Sequence, residues 1–215
     1  MNRGIPGSRI RIGVVDTGIA NLASVMAALR RCDAEPEMVS TPEEVERASG
    51  IVLPGVGHFE SGMSELRRLD LVTAIRDRVQ RRSATIAICL GMQMLAEASD
   101  EAPGVPGLGV LPVRVRRLPS GPPRPHMGWS RIERRLDPPD PPMVESGTGY
   151  FANGFAFDRV PPGWQATWAS DGGCFVASLE RGGVVACQFH PELSGTYGRS
   201  LLGRWIESSV EVESC

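Results

Sequence analysis

The chain has 215 residues, of which 41% are hydrophobic and 22% charged, a balance that excludes collagen, a coiled coil and a wholly disordered chain. A net charge of −2 leaves no basic field to gather a phosphate backbone, so no nucleic-acid partner is expected. Apolar runs fall far short of the ~20 residues that cross a bilayer, and Met1 to Ser8 is polar without a leader-like core, so no membrane partner and a cytoplasmic location are expected.

Arg9 to Asp16 predicts a first strand, ending at Thr17-Gly18. Asn21 to Arg31 predicts a helix, with Leu22, Val25, Met26 and Leu29 on one face and Asn21 as its N-cap. Met38-Val39 reads as a short strand. Thr41-Pro42-Glu43-Glu44 opens a helix with proline at its first position and acids in its first turn. Ile51 to Leu53 is a short buried strand that stops at Pro54-Gly55-Val56-Gly57. Leu66 to Arg82 carries one helical apolar stripe, Thr85 to Ile88 another buried strand, and a helix follows Gly91 through Met92, Met94 and Leu95. Strands alternating with helices predict an α/β fold with a mostly parallel central sheet, covered by helices on both faces in three layers.

At Pro103 the texture changes. Eleven of the 18 prolines lie between Pro103 and Pro142, among short β-like pieces at Leu111 to Leu118 and Trp129 to Ile132. Val113, Val115, Met127 and Trp129 favour irregular loops with strands over a linker. From Gly149 the pattern is hairpin-like: Tyr150 to Phe157, Trp164 to Ala169, Cys174 to Leu179 and Val184 to Phe189, with turns at Gly172-Gly173 and Gly182-Gly183. Ser200 to Ile206 predicts a closing helix. The expected organisation is a short N-terminal extension, residues 1–8, and a single domain over 9–215.

All 23 basic residues are arginine, which excludes Schiff-base and P-loop chemistry because both need a lysine. The five cysteines (Cys32, Cys89, Cys174, Cys187, Cys215) include no CxxC pair, and three histidines cannot complete a zinc ribbon, so neither metal nor cofactor is expected. Cys89 differs from the other thiols. It ends a buried strand, opens a helix, and has the small residues Ala87 and Gly91 two positions to either side, the layout of a nucleophile elbow. A helix N-terminus there favours thiolate and supplies N–H groups for an oxyanion. A cysteine at a strand end is often plain core. A second strand, however, delivers His190-Pro191-Glu192, a base with a carboxylate two residues away to orient it. The Gly55-Val56-Gly57 loop allows close approach of a backbone N–H to a ligand, yet no GxGxxG marks a dinucleotide site. Asp16-Thr17-Gly18 matches an aspartic-protease signature but has no second copy, and a strand-end turn accounts for it. A working Cys–His pair is expected to lose activity as the imidazole protonates.

Cys89-Leu90-Gly91-Met92-Gln93, together with Gln188-Phe189-His190-Pro191-Glu192, resembles a class I (triad) glutamine amidotransferase. Asp16-Thr17-Gly18 leading to Asn21-Leu22, the Leu53 to Gly57 loop, Gly107-Leu108-Gly109 and Pro125-His126-Met127-Gly128-Trp129 narrow the resemblance to glutaminase subunits of imidazole glycerol phosphate synthase, over Arg9 to Ile206. The resemblance implies a flavodoxin-like amidotransferase fold and a heterodimer with a (βα)8-barrel cyclase. Glutamine hydrolysed here would feed ammonia to that cyclase for imidazole glycerol phosphate and AICAR in histidine biosynthesis. It also implies a Cys89–His190–Glu192 triad, an oxyanion site from Leu90 and the Gly55, Val56 and Gly57 loop, a glutamine contact from Gln93, and partner contacts near Met127 and Trp129.

Two positions depart from the family pattern. Asn153-Gly154 stands where the family commonly has His-Ser beside the glutamine pocket, and Leu193 stands where it usually has a lysine at the partner interface. Two alternatives follow from them: a paralogous amidotransferase feeding another barrel synthase, or a non-catalytic scaffold subunit. A cysteine hydrolase using the same elbow on another amide or ester is a third, against which the Pro125 to Trp129 segment weighs.

Overall fold

A computed structural model of the chain describes residues 10–18, 21–118, 126–135, 141–169 and 174–211. The N-terminal extension, Pro125 and the Gly172-Gly173 turn lie outside the described residues. The chain begins with β1 (Arg11–Val15), α1 (Leu22–Arg30), β2 (Glu35–Val39), α2 (Pro42–Arg47) and β3 (Gly50–Leu53). Next come α3 (Phe59–Arg68), α4 (Val72–Gln80), β4 (Thr85–Ile88), the short α5 (Leu90–Met94), β5 (Ala96–Ser99) and β6 (Leu111–Arg117). β7 (His126–Arg134), β8 (Gly147–Asn153), β9 (Phe155–Ala156), β10 (Gln165–Ala169), β11 (Phe175–Arg181) and β12 (Val184–Cys187) follow. A 3-10 turn (Pro191–Leu193) leads into α6 (Gly195–Glu211).

Among the described residues nine strands form one sheet in the order β2-β1-β3-β4-β12-β11-β10-β7-β8. The five from β2 to β12 are parallel, and the other four extend the sheet antiparallel from β12. Alternation along each parallel strand divides the core in two. Val15, Ile51, Leu53, Ala87 and Ala186 face α2, α3 and α4. Ile12, Val14, Val52, Ile86, Ile88 and Val185 face α1 and α6, meeting Val25, Leu29, Leu201 and Trp205. With both faces covered, these strands carry near-continuous apolar runs, which is why they are legible as buried and parallel.

Local capping fixes where helices begin. Asn21 accepts from the Ser24 N–H to cap α1, and Thr41 with Glu44 forms a reciprocal capping box on α2. The single helix expected over Leu66 to Arg82 is two. Asp70 adopts φ +57°, the Leu71 N–H turns back to the Leu66 carbonyl, and Leu71 is buried in the break. The apolar stripe continues across the interruption because both helices pack on the same sheet face. The helix after Cys89 runs from Leu90 to Met94, with Leu95 as its C-cap, and gives way to β5, which pairs with β6 in a small separate sheet. The last helix starts five residues earlier than expected, at Gly195.

Candidate active site

β4 lies between β3 and β12, with Leu53 opposite Ala87 and Ile88 opposite Cys187. Three chain segments therefore leave one carboxyl edge side by side: the Pro54 to Gly57 loop, the turn at Cys89, and Gln188 to Glu192. Ligands in open α/β sheets bind at this edge.

Cys89 occupies a strained bend, φ +52° and ψ −107°, held by its own N–H to the Cys187 carbonyl at 2.7 Å. The neighbouring small residue has a hard steric cause. A Cβ on Gly91 would sit 2.0 Å from the Leu53 carbonyl oxygen, so any other residue there pushes β3 away from the turn. The bend places the side chain at the N-cap of α5, in a cavity of about 120 Å³. Around it lie Val56, Gly57, Gln93, Glu101, Asn153 and Phe155. The other described cysteines are placed differently. Cys187 is sealed in the core, where burial pushes its thiol well up, and Cys174 lies exposed beside Arg135.

His190 lines the same cavity. Its N–H bonds to the Tyr150 carbonyl at 2.8 Å, its Nδ1 meets Glu192 Oε1 at 2.8 Å, and the ring also hydrogen-bonds Cys89. Burial alone would pull the ring's pKa down. The hydrogen bonds to Cys89 and Glu192, and the charges of those groups, outweigh it and raise the value from 6.5 to about 10. The ring is thus held protonated through the neutral range. In such a pair the protonated ring is a ready proton donor.

The backbone groups expected to hold an oxyanion stand in a closed arrangement. The Leu90 N–H donates to the Gly55 carbonyl at 3.2 Å, so the loop turns an acceptor, not a donor, toward the helix start. Gly57, with φ +94°, and the half-exposed Val56 follow in the same loop. Gln93 lines the cavity, but its Nε2 is committed twice, to the Phe155 carbonyl and to Gln188 Oε1, both at 3.0 Å. Its carbonyl oxygen is what remains for a ligand. Asn153 donates from Nδ2 to the same Phe155 carbonyl at 3.0 Å.

Two contributors are not among the site residues read from the sequence. Glu101 is the one carboxylate lining the cavity among the described residues, and its Oε2 accepts from the Phe59 N–H at the start of α3 at 2.8 Å. Gln188 is buried and donates from Nε2 to Cys89 Sγ at 3.6 Å. The apolar contact candidates lie on the outer face of the β7–β8 ribbon. There Met127 pairs with Ala152 and Trp129 with Tyr150, and Met127 and Trp129 are 61% and 57% exposed.

A thiol on a strand-to-helix elbow stands beside a histidine–glutamate pair at a parallel sheet edge, an arrangement suited to nucleophilic chemistry on an amide. The family model described as glutamine amidotransferase class-I matches residues 13–206, and the chain belongs to that family. It is 39% identical over 196 residues to the imidazole glycerol phosphate synthase subunit HisH of Symbiobacterium thermophilum, covering 91% of this chain and 92% of that one. The subunit of the same name from Streptococcus sanguinis is 37% identical, with 92% and 96% covered. A crystal structure of a glutamine amidotransferase superposes with a TM-score of 0.74 at 24% identity, over 93% of this chain and 98% of that one, a likeness of fold.

Proposed function

We propose that this chain is the glutaminase subunit of an imidazole glycerol phosphate synthase, working in the cytoplasm in a heterodimer with a (βα)8-barrel cyclase. The observation that carries the reading is the Cys89–His190–Glu192 arrangement opening into a cavity with Glu101, in a chain so similar to HisH subunits.

The Cys89 thiolate attacks the side-chain amide carbon of glutamine, and His190 passes its proton to the departing nitrogen. Ammonia leaves and a thioester remains. Two of the influences that raise the His190 value come from Cys89 itself, so acylation of the sulfur removes them and returns the ring toward neutrality. The neutral ring can then take a proton from the attacking water, releasing glutamate and restoring the thiolate. Glu192 holds Nδ1 throughout. Glu101 suits the substrate's α-ammonium, and the Gln93 carbonyl oxygen adds a second acceptor.

Stabilising the tetrahedral oxyanion requires the Leu90 N–H to be released from Gly55 and the Val56 N–H to turn inward. Rotation of the Gly55–Val56 peptide does both. The loop's exposure, with Val56 39% exposed, offers the barrel partner a way to drive that rotation. The apolar outer face of β7–β8 supports a docking surface beside the cavity mouth. Leu193, 41% exposed, lies on the turn fastened to Tyr150 through His190 and Ser194, so it extends that face where an ion pair would otherwise stand.

The test is ammonia release from glutamine by the chain alone and with the barrel subunit, against Cys89→Ala. Partner-stimulated release that drops by at least ~1000-fold in Cys89→Ala is expected. No release from a formed complex overturns the reading.

A further inference from the structure

Buried amides cannot choose their orientation freely when one end of the chain is anchored by a group that only accepts. The Phe155 carbonyl is such an anchor. It receives hydrogen bonds from Gln93 Nε2 and from Asn153 Nδ2, each at 3.0 Å. Gln93 must therefore present its NH2 side, whose second N–H reaches Gln188 Oε1 at 3.0 Å. With its oxygen taken, Gln188 can present only its own NH2 group onward, and the group it meets is Cys89 Sγ at 3.6 Å. The polarity of the whole relay is fixed from Phe155 to the sulfur. Gln188 is 1% exposed, and its N–H to the Ala177 carbonyl at 2.8 Å pins its backbone as the strand runs out, so the side chain has no solvent to turn to.

We propose that Gln188 is the fixed hydrogen-bond donor that orients the Cys89 sulfur toward the cavity and favours its thiolate form, with Gln93 and the Phe155 carbonyl setting the sense of that bond. The proposal rests on the glutaminase reading for its purpose but not for its test. A sulfur receiving an N–H from one side and the His190 ring from another has two of its directions defined, which leaves the remaining direction for the substrate carbon. The relay also links the nucleophile to Asn153, the position that departs from the family pattern, since both chains of donors end on one carbonyl oxygen. Hydrogen bonds to charged acceptors are stronger than those to neutral ones, so removing the donor acts on the thiolate more than on the thiol.

The titratable groups facing the sulfur are His190, with Glu192 behind it, and Glu101 across the cavity. All three are unchanged in the variants that test the idea. The probe is iodoacetamide, with alkylation of Cys89 followed by peptide mass spectrometry against pH and Cys89→Ala defining the background from the other thiols. Gln188→Glu keeps size and the bond accepted from Gln93 but turns an oxygen to the sulfur. Gln188→Met removes the donor at similar volume. Alkylation at pH 7 is expected to slow about tenfold or more in Gln188→Glu and severalfold in Gln188→Met, with both profiles moved to higher pH. Gln188→Glu retains the buried polar partner for Gln93, so it keeps the test available where Gln188→Met melts early. Wild-type alkylation profiles in variants with an unchanged thermal melt would overturn the proposal. A moved profile in a chain that never releases ammonia with its partner would uphold it while ending the glutaminase reading.

Discussion

The parallel and antiparallel parts of the sheet use their side chains in opposite ways. Along β1, β3, β4 and β12 nearly every residue is buried, because helices cover both faces. Apart from Arg11, no side chain in these strands is exposed for recognition, and the function they support is displaced to the loops at their carboxyl ends. β7 and β8 instead alternate. His126, Ser130, Ile132 and Phe151 point inward, whereas Met127, Trp129 and Ala152 point out. The parallel half fixes where a nucleophile and its base stand. The extension offers a free apolar face next to them, and its last residues, Asn153 to Phe155, reach into the cavity. In the proposed reading, chemistry and partner recognition are separated by sheet type, and they meet at one carbonyl.

The strongest way to break the extension without touching the elbow is its buried ion pair. Arg134 and Glu180 bond to each other with side chains only 9% and 8% exposed, and Glu180 also accepts the Met143 and Val144 N–H groups. Arg134→Met leaves that carboxylate buried without its cation and should cost about 3–5 kcal/mol in denaturant unfolding. Adding Glu180→Leu should restore part of the loss. A single variant that melts like wild type would show that the extension does not depend on the pair.

The corresponding change in the parallel half is Gly91→Ala. Its Cβ meets backbone, which cannot swing aside as a flexible side chain can. About 1–3 kcal/mol of stability should go, together with glutamine hydrolysis, because the shift is at the Cys89 turn itself. Retained turnover in this variant would show that the elbow tolerates movement. A pH-dependent effect separates the two halves. The His190 value is raised above its ordinary 6.5, so its contribution to stability is full below about pH 6.5 and is lost as pH rises through about 10. The stability difference between wild type and His190→Asn should shrink over that range, and the Arg134→Met difference should not follow it. A His190 difference that stays level from pH 6.5 to 10 would mean the ring is not held protonated.

Much of this arrangement is legible in the sequence where a local rule produces it. Thr85 to Ile88 is a strand because it is apolar on both faces, and the Ala87–Cys89–Gly91 spacing marks an elbow because the turn admits nothing larger. His190-Pro191-Glu192 announces itself by its chemistry. The break at Asp70 is hidden because the apolar stripe persists across it. Glu101 and Gln188 are hidden for another reason: each acts through a partner 42 or 99 positions away, and no periodicity encodes such a contact. Gln93 was readable as a site residue by resemblance, but the commitment of its NH2 group needs Phe155 and Gln188 in place.

The outer face of the extension gives the smallest effect on the isolated chain and the most informative one on the complex. Trp129 sits at the centre of that face, 57% exposed, with an edge-to-face contact to Tyr150 at 6.0 Å as its cross-strand partner. Trp129→Ala removes that contact and should cost the free subunit about 1 kcal/mol or less. Exposed aromatics at the middle of an interface contribute far more once water is excluded, so the dissociation constant for the barrel subunit should rise by roughly 30-fold or more. Met127→Ala, nearer the cavity on a flexible side chain, should weaken binding less. The two variants read the same face at two points. If calorimetric titration shows neither changing affinity, the partner docks elsewhere, and the loop carrying Val56 must be reached from a different side. If Trp129 dominates, the free face left by antiparallel pairing is what couples a partner to a nucleophile that the parallel half has placed beyond direct contact.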